Sequence, residues 1–211
     1  MTFDAVVLSG GRASRLGGTT KATLLARGMP LLLGTVAATT GARRTVVVGD
    51  GAPGLPADVL LARETPAFAG PAAGIGAGLD ALRRRGPLAE LLLVLACDMP
   101  GIATAVGVLL AAAAAAPASD GILAVDDGGR RQYLAGVYRS GALSAAVSAA
   151  LLRHGSLEGL SMRALLDSLR LDGVEVPPGA TSDVDTWADA ARHGVTDPAD
   201  AGRSSVPTLR S

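Results

Sequence analysis

The N-terminal segment of the chain, residues 4–21, reads DAVVLSGGRASRLGGTTK. Its first part, Asp4–Leu8, is a short and mostly apolar run typical of a β-strand, and a loop with four glycines follows it. Glycines let backbone N–H groups turn toward a ligand, and cations such as Arg12, Arg15 and Lys21 attract a polyphosphate. The segment therefore predicts a nucleotide-binding loop directly after the first strand.

This loop differs from both common phosphate-binding motifs. Lys21 lacks the preceding glycine of a Walker A loop, and the glycines do not form a regular dinucleotide-binding fingerprint. With 28 glycines in the chain, the loop taken alone is also compatible with an ordinary strand–helix turn. An NAD-dependent dehydrogenase would need an acidic residue at the end of the second strand to bind the ribose, and Asp50 is near that place. This class is nevertheless disfavoured, because Lys21 would then have no role.

The composition bounds the class of protein. The chain has 211 residues, of which 49% are apolar and 2% aromatic, so we expect a large core of Ala, Val and Leu. Nineteen basic and nineteen acidic residues balance, which argues against nucleic-acid binding through bulk electrostatics.

The single cysteine, Cys97, fits a reducing compartment. There is no signal-peptide pattern, and the uncharged stretch 101–119 is alanine-rich, so we expect a cytoplasmic protein with no membrane span.

Strand and helix patterns alternate along the chain. Strands are predicted at Asp4–Leu8, Thr45–Val48, Asp58–Leu61, Leu91–Ala96, Ile122–Val125 and Tyr133–Tyr138. Helices are predicted at Pro30–Thr40, Gly74–Arg85, Ile102–Ala116, Ser140–Arg153 and Ser161–Leu169. This order predicts a Rossmann-like three-layer α/β/α domain with a mostly parallel sheet over residues 1–195, and a flexible polar tail over residues 196–211.

Three further segments sit where open parallel sheets bind ligands: GPAAG (70–74), CDMP (97–100) and SDVDT (182–186). Asp98 is suited to hold Mg²⁺ against phosphate oxygens, although it is also placed to cap the following helix. Asp183 and Asp185 offer two more carboxylates, one of which has the alternative role of capping a helix at Thr186–Ala191.

Other reactive side chains have plainer interpretations. Cys97 is predicted to be a small buried hydrophobe, because its strand is apolar and no histidine is near it in sequence. His154 and His193 are predicted on the surface, and Arg83–Arg85 at a solvated helix end. The sequence thus offers no Ser-His-Asp or Cys-His set for nucleophilic catalysis.

The motifs in this order and spacing are more specific than any one of them. LSGGRASRLGGTTK, GPAAG, CDMP and DVDT resemble the molybdenum cofactor guanylyltransferase family of MobA-like NTP transferases, over roughly residues 4–193. That family's first loop reads roughly L-A-G-G-x-x-x-R-[ML]-G-x-x-K. This chain matches it, with one additional residue before the lysine, at Leu8, Gly10, Gly11, Arg15, Gly17 and Lys21. The resemblance implies a nucleotidyltransferase fold and activity.

The resemblance implies nucleotide binding by Leu8, Ser9, Gly10, Gly11, Arg12, Lys21, Gly49, Glu64, Gly70 and Asp98. The first three residues would lie along the guanine and ribose of GTP, and Gly11–Arg15 would wrap the triphosphate. Gly49 stands where the family has an asparagine that helps to bind the base. Glu64 is the nearest match to an acidic residue that touches the nucleotide.

The resemblance also implies a metal and a mechanism. Asp98 would bind Mg²⁺, and Asp185 matches a second metal-side position where the family has asparagine. Arg15, Lys21 and Asp98 would be the catalytic residues, while Thr20 replaces an aspartate of many members. The acceptor's terminal phosphate would attack the α-phosphorus of the nucleotide and displace pyrophosphate without a general base.

The base and the acceptor are inferred from smaller features. Gly10, where cytidylyltransferases tend to have alanine, and GPAAG favour GTP over CTP. Molybdopterin is the acceptor that the resemblance implies, with molybdoenzymes or enzymes of the cofactor pathway as partners. The segment Asp126–Tyr138 is either the acceptor site or a polar hairpin. A cytidylyltransferase, an enzyme for another phosphorylated acceptor and a regulatory nucleotide-binding protein stay as alternatives.

Overall fold

The computed structural model describes residues 1–10 and 20–201. Its strands are β1 (Phe3–Leu8), β2 (Leu25–Ala26), β3 (Met29–Pro30), β4 (Thr45–Val48), β5 (Leu60–Ala62), β6 (Leu91–Ala96), β7 (Gly121–Val125), β8 (Arg131–Arg139), β9 (Leu171–Glu175) and β10 (Val195–Thr196). Its helices are α1 (Leu31–Ala38), α2 (Pro71–Arg83), α3 (Ala103–Ala115), α4 (Ser140–His154), α5 (Met162–Leu165), α6 (Trp187–Arg192) and α7 (Pro198–Ala201), and a short 3₁₀ helix covers Lys21–Thr23.

The main sheet has seven strands in the order β5-β4-β1-β6-β8-β7-β9. Neighbouring strands are parallel except that β8 runs antiparallel to both β6 and β7. The mostly parallel sheet predicted from the sequence is therefore confirmed. A small antiparallel sheet of β10, β2 and β3 was not predicted, because strands of two residues carry no readable periodicity.

Helices cover both faces of the main sheet, because its central strands carry apolar side chains on both faces. Leu92 and Val94 of β6 belong to a core that includes α2 and α4. Leu93 and Leu95 of the same strand belong to a second core with α3, and α1 packs on this face through Leu32. The three-layer α/β/α arrangement is confirmed.

Helix α2 lies close to the sheet because glycines face it. A Cβ on Gly74 would lie 3.0 Å from Cδ2 of Leu8, and a Cβ on Gly78 would lie 2.9 Å from Cγ1 of Val6. The helix begins at Pro71, three residues earlier than predicted, since proline is favoured in a first turn. The close packing holds the start of α2 beside the carboxyl end of β1.

Two segments near the C-terminus differ from the prediction. The helix expected over Ser161–Leu169 is limited to α5, because the chain then turns to enter β9. Strand β9 was not predicted, since its sequence LDGVE contains weak strand formers. Packing in the folded protein requires a residue without a side chain at position 173, because a Cβ on Gly173 would lie 2.7 Å from Cγ2 of Val125 in the neighbouring β7.

The end of the domain is only partly described. Thr196, the first residue of the segment predicted as a tail, belongs to β10, and Pro198–Ala201 of that segment form α7. Residues 202–211 lie outside the described residues, so a flexible tail there stays a prediction. The alanine-rich stretch forms α3, and none of the described helices has the length and apolar content needed to cross a membrane.

A carboxylate is buried at the amino end of β1. Asp4 is 0% exposed and accepts hydrogen bonds from Nη2 of Arg44 at 2.7 Å, from Nη2 of Arg43 at 3.1 Å and from the backbone N–H of Ala89 at 2.8 Å. Burial raises the pKa of Asp4, but these hydrogen bonds outweigh burial and hold the pKa below its usual value. Asp4 thereby ties β1 to the segments that precede β4 and β6, at the opposite end from the predicted site.

Candidate active site

A cleft of about 1140 Å³ opens at the carboxyl ends of β1, β4 and β6. Leu8 of β1 lies beside Val48 of β4 and Ala96 of β6, so the loops that follow these strands leave the sheet at the same edge. The cleft is lined by these predicted site residues: Leu8, Ser9, Gly10, Lys21, Glu64, Gly70 and Asp98. Gly11, Arg12 and Arg15 lie outside the described residues, and their roles stay predictions.

Lys21 lies between two carboxylates from distant parts of the sequence. Its Nζ donates to Oδ2 of Asp98 at 3.1 Å and is in direct contact with Oδ1 of Asp185. The backbone N–H of Val184 donates to the carbonyl oxygen of Asp98 at 3.0 Å, which fixes the DVDT segment beside CDMP. Folding thus brings together the two aspartates that were predicted to bind a metal.

The charge in this cluster is predominantly negative. Partial burial lowers the pKa of Lys21, but its hydrogen bond to Asp185 and the charge of Asp98 outweigh burial and raise the pKa above its usual value. Lys21 is therefore a cation at neutral pH. Partial desolvation, followed by the charges of Asp185 and Asp98, raises the pKa of the nearby Asp183. Three aspartates around one lysine favour a further cation.

The pair Asp98 and Asp185 suits a nucleotide-bound Mg²⁺. In the ranges 1–10 and 20–201, no group of three or more His, Cys, Asp or Glu side chains is arranged to hold a metal ion by itself. Mg²⁺ in nucleotide enzymes is commonly held by one or two carboxylates together with substrate phosphates and water. The donor set therefore fits. A cation held by Asp98 and Asp185 would compete with the ammonium group of Lys21 for their carboxylates.

Ser9 and Gly10 are held against the end of β4. The hydroxyl of Ser9 donates to the carbonyl oxygen of Asp50 at 2.5 Å. Gly49 has a φ of +113°, and a Cβ there would lie 2.9 Å from the backbone nitrogen of Gly10. Gly49 thus lies behind the loop and lines a small side groove with Gly10 and Glu64. The fold leaves no room at this position for the asparagine of the family.

Glu64 and Gly70 flank the loop that leads into α2. Oε1 of Glu64 accepts a hydrogen bond from the backbone N–H of Phe68 at 3.0 Å. Gly70 precedes α2 with a φ of +97°, a conformation that favours glycine, and its carbonyl oxygen accepts the N–H of Gly74. Both residues line the cleft, and Glu64 lies close to Gly10.

The segment Asp126–Tyr138 forms the turn and second strand of the β7–β8 hairpin. The carboxylate of Asp126 closes the turn by accepting the backbone N–H of Arg130 at 2.8 Å and Nε2 of Gln132 at 2.8 Å. The hydrogen bond from the Arg130 backbone is the largest cause that lowers the pKa of Asp126. The segment is therefore a polar hairpin, and this does not conflict with a role in acceptor binding, because Arg130, Arg131 and Gln132 line the cleft.

The structure decides two alternative roles. Helix α3 has no side-chain cap, so the role of Asp98 as a helix cap is wrong. Helix α6 is capped by Thr186 in a capping box with Asp189, so neither Asp183 nor Asp185 is its cap.

The reactive side chains are mostly where the sequence predicts them. Cys97 is a buried free thiol, and burial, followed by the charge of Asp98, raises its pKa to about 12. His154 and Arg83–Arg85 are exposed as predicted. His193, which was predicted on the surface, is half-buried and lines the cleft together with Arg192, a position that was not predicted for either residue. The available signal was their position at the end of the helix that follows DVDT.

The fold and the cleft define a Rossmann-like α/β protein of the nucleotidyltransferase type. The sequence model of the MobA-like NTP transferase domain matches residues 5–172, and the chain belongs to this family. A comparison with curated proteins yields no significant match.

Solved structures with this fold include enzymes for different nucleotides. Molybdopterin-guanine dinucleotide biosynthesis protein A from Archaeoglobus fulgidus is 19% identical, with 95% of this chain and 100% of that chain covered at a TM-score of 0.66. The 2-C-methyl-D-erythritol 4-phosphate cytidylyltransferase of Thermus thermophilus is 19% identical, with 92% of this chain and 100% of that chain covered at a TM-score of 0.63. The Francisella tularensis enzyme of the same name is 11% identical, with 92% of this chain and 99% of that chain covered at a TM-score of 0.71. The shared fold therefore does not by itself identify the base or the acceptor.

Proposed function

We propose that this nucleotidyltransferase transfers GMP from GTP to molybdopterin in the cytoplasm, with Mg²⁺ as cofactor and pyrophosphate as the leaving group. The observation that carries the proposal is the contact of Lys21 with both Asp98 and Asp185 at the carboxyl ends of the parallel strands. This arrangement places a cation and a carboxylate pair where the first loop would bring the triphosphate.

The chain's own residues account for the chemistry. The terminal phosphate of the acceptor is already an anion, so its attack on the α-phosphorus requires positioning rather than a base. Lys21 is a flexible point charge that is able to leave the carboxylates and follow the charge on the departing pyrophosphate. Asp98 and Asp185 would hold Mg²⁺, which when bound neutralises phosphate charge.

The absence of close contacts at Gly10 supports GTP as the donor. Among the described residues, the nearest atom to a Cβ on Gly10 would be Oε1 of Glu64 at 3.8 Å, which is ordinary van der Waals contact. Packing against the described residues therefore does not require glycine here, unlike at Gly49. A side chain at this position would instead narrow the space beside Gly10, along which the resemblance places the guanine and ribose.

The hairpin supports a phosphorylated acceptor. Arg130, Arg131 and Gln132 line the cleft from the β7–β8 hairpin, whereas Lys21 lines it from the 3₁₀ helix and Asp98 from the segment after β6. Guanidinium groups bind phosphate oxygens in a bidentate manner. Molybdopterin carries such a phosphate, and the similarity to the Archaeoglobus protein makes it the first acceptor to test.

The direct test is release of pyrophosphate with each of the four nucleoside triphosphates, in the presence of molybdopterin and Mg²⁺. We expect turnover with GTP and formation of a guanine dinucleotide. Turnover with CTP alone would replace the proposal by cytidylyl transfer. Tight GTP binding without turnover on any phosphorylated acceptor would favour the regulatory alternative.

Preferential stabilisation by GTP is a first prediction. With Mg²⁺ present, GTP is expected to raise the melting temperature more than CTP or ATP, because the proposed site binds it more tightly. A ligand at 100 times its Kd adds roughly 2.7 kcal/mol to the free energy of unfolding. Gly10→Ala should leave the melting temperature of the free protein unchanged and weaken GTP binding about tenfold. Equal shifts for all nucleotides, or an unchanged GTP shift in the variant, would contradict a guanine site at Gly10.

A second prediction concerns metal binding in the absence of nucleotide. Because Lys21 already contacts both carboxylates, the free protein should bind Mn²⁺ weakly. Lys21→Met keeps much of the side-chain volume and removes the charge, so Mn²⁺ affinity should increase about tenfold. Electron paramagnetic resonance of free Mn²⁺ measures this without turnover. Lys21→Arg serves as the charge-retaining control, and equal Mn²⁺ affinity in all three proteins would argue against a metal at Asp98 and Asp185.

A further inference from the structure

Phe68, in the loop before α2, combines an unfavourable backbone conformation with an exposed ring. Its φ is +63°, a region that residues other than glycine, asparagine and aspartate rarely adopt, least of all bulky ones. Its side chain is 52% exposed. An apolar ring in water and a disfavoured φ both act against the free protein, and neither is needed for core packing.

The loop around Phe68 is fixed from both sides. The carboxylate of Glu64 accepts the backbone N–H of Phe68 at 3.0 Å. The carbonyl oxygen of the buried Ala69 accepts the N–H of Gly159 at 2.8 Å. These hydrogen bonds hold the backbone in its unfavourable conformation, and so determine where the ring lies. Unfavourable conformations maintained in this way are concentrated at ligand sites.

The ring lies on the predicted base side of the cleft. Phe68 lines the cleft together with Gly10 and Glu64, and the same three residues line the small side groove next to it. The chain has one Trp, two Tyr and two Phe; Phe3 and Tyr138 are buried in the core, and the exposed Trp187 does not line the cleft. Of the two aromatic residues that do line it, Tyr133 is half-buried and Phe68 is the more exposed.

We propose that Phe68 is a stacking platform for the nucleobase of the donor nucleotide, and that Glu64 is a positioning residue that holds this platform through the Phe68 backbone. The inference rests on the proposed function for the identity of the donor. A flat aromatic face attracts the π-face of a base, and a purine covers more of it than a pyrimidine does. Inorganic tripolyphosphate has no base and gains nothing from the ring.

The test separates stacking from folding through two glycine variants. Phe68→Gly removes the ring and relieves the positive φ, so we expect an unchanged or higher melting temperature and about tenfold weaker GTP binding by calorimetry. Binding of tripolyphosphate should be unchanged. Arg27→Gly is the matched control, because Arg27 is exposed, has a φ of +52° and does not line the cleft. It should alter neither ligand's affinity.

Four further variants test the nature of the contact. Phe68→Tyr should restore GTP affinity and Phe68→Leu should not, since leucine is apolar without a π-face. Glu64→Gln keeps an oxygen that accepts the Phe68 N–H and should lose less affinity than Glu64→Ala.

Parental GTP affinity in Phe68→Gly, or an equal loss for tripolyphosphate, would overturn the platform while leaving the proposed transfer reaction intact. A nucleotide affinity that depends on Phe68 in a protein without transferase activity would overturn the proposed function and keep the platform. Failure of the parental protein to bind any nucleoside triphosphate would overturn both.

Discussion

Asp98→Ala is expected to lower turnover with GTP by at least about a hundredfold while the protein stays folded. Asp98 lies directly after β6, contacts Lys21 and faces the cleft. Removing a carboxylate that holds a metal removes several kcal/mol of charge stabilisation from the transition state. The fold should survive, because the hydrogen bond from Val184 goes to the backbone carbonyl of residue 98 and remains in the variant.

Steady-state kinetics and thermal melting of the purified variant test this expectation. Asp98→Asn keeps the shape and removes the charge, so it should lose nearly as much activity as Asp98→Ala. Asp80→Ala removes an aspartate that is exposed on α2 and paired with Arg83, and should keep both activity and stability. A folded Asp98→Ala protein with nearly parental turnover would refute the metal-binding role of Asp98.

Asp4→Ala is expected to lower the free energy of unfolding by about 3 kcal/mol. Asp4 is fully buried and neutralises Arg44 and Arg43, so its removal leaves two guanidinium groups without their carboxylate. It also leaves the N–H of Ala89 without its acceptor. Urea unfolding, compared with that of Asp80→Ala, measures the loss. A change below about 0.5 kcal/mol, the range typical of surface positions, would contradict a structural role.

The same carboxylate predicts part of the acid sensitivity. Because the pKa of Asp4 is lower in the folded than in the unfolded protein, its ionised form contributes stability above the unfolded-state value of about 4. That contribution is lost as the pH falls through the lower folded-state pKa. Asp4→Asn should therefore be less stable than the parental protein at pH 7 and approach it in stability at acidic pH. A constant difference between pH 7 and pH 3 would contradict this assignment.

Local patterns in the sequence were sufficient for most of the fold. Thr45–Val48 and Leu91–Ala96 are strands over the residues predicted, because a continuous apolar run of this length is buried on both faces of a parallel sheet. Strand β9 and the small sheet of β2, β3 and β10 were missed. Strands β9 and β10 form only beside neighbours that are distant in the chain, β7 and β2, as where Val125 lies beside Gly173. The local β2–β3 pair was missed because its strands have two residues each.

For the site, the sequence by itself determined the residue types and their place in the chain. The glycine-rich loop, CDMP and DVDT were recognisable because each motif is contiguous and follows a strand or precedes a helix. Only the tertiary structure decided that Lys21 joins Asp98 to Asp185, that Asp4 holds two arginines, and that Phe68 faces the cleft with a positive φ. These contacts depend on strand order and on the path of the loops, because residues far apart in the chain meet only where the sheet places their strand ends side by side.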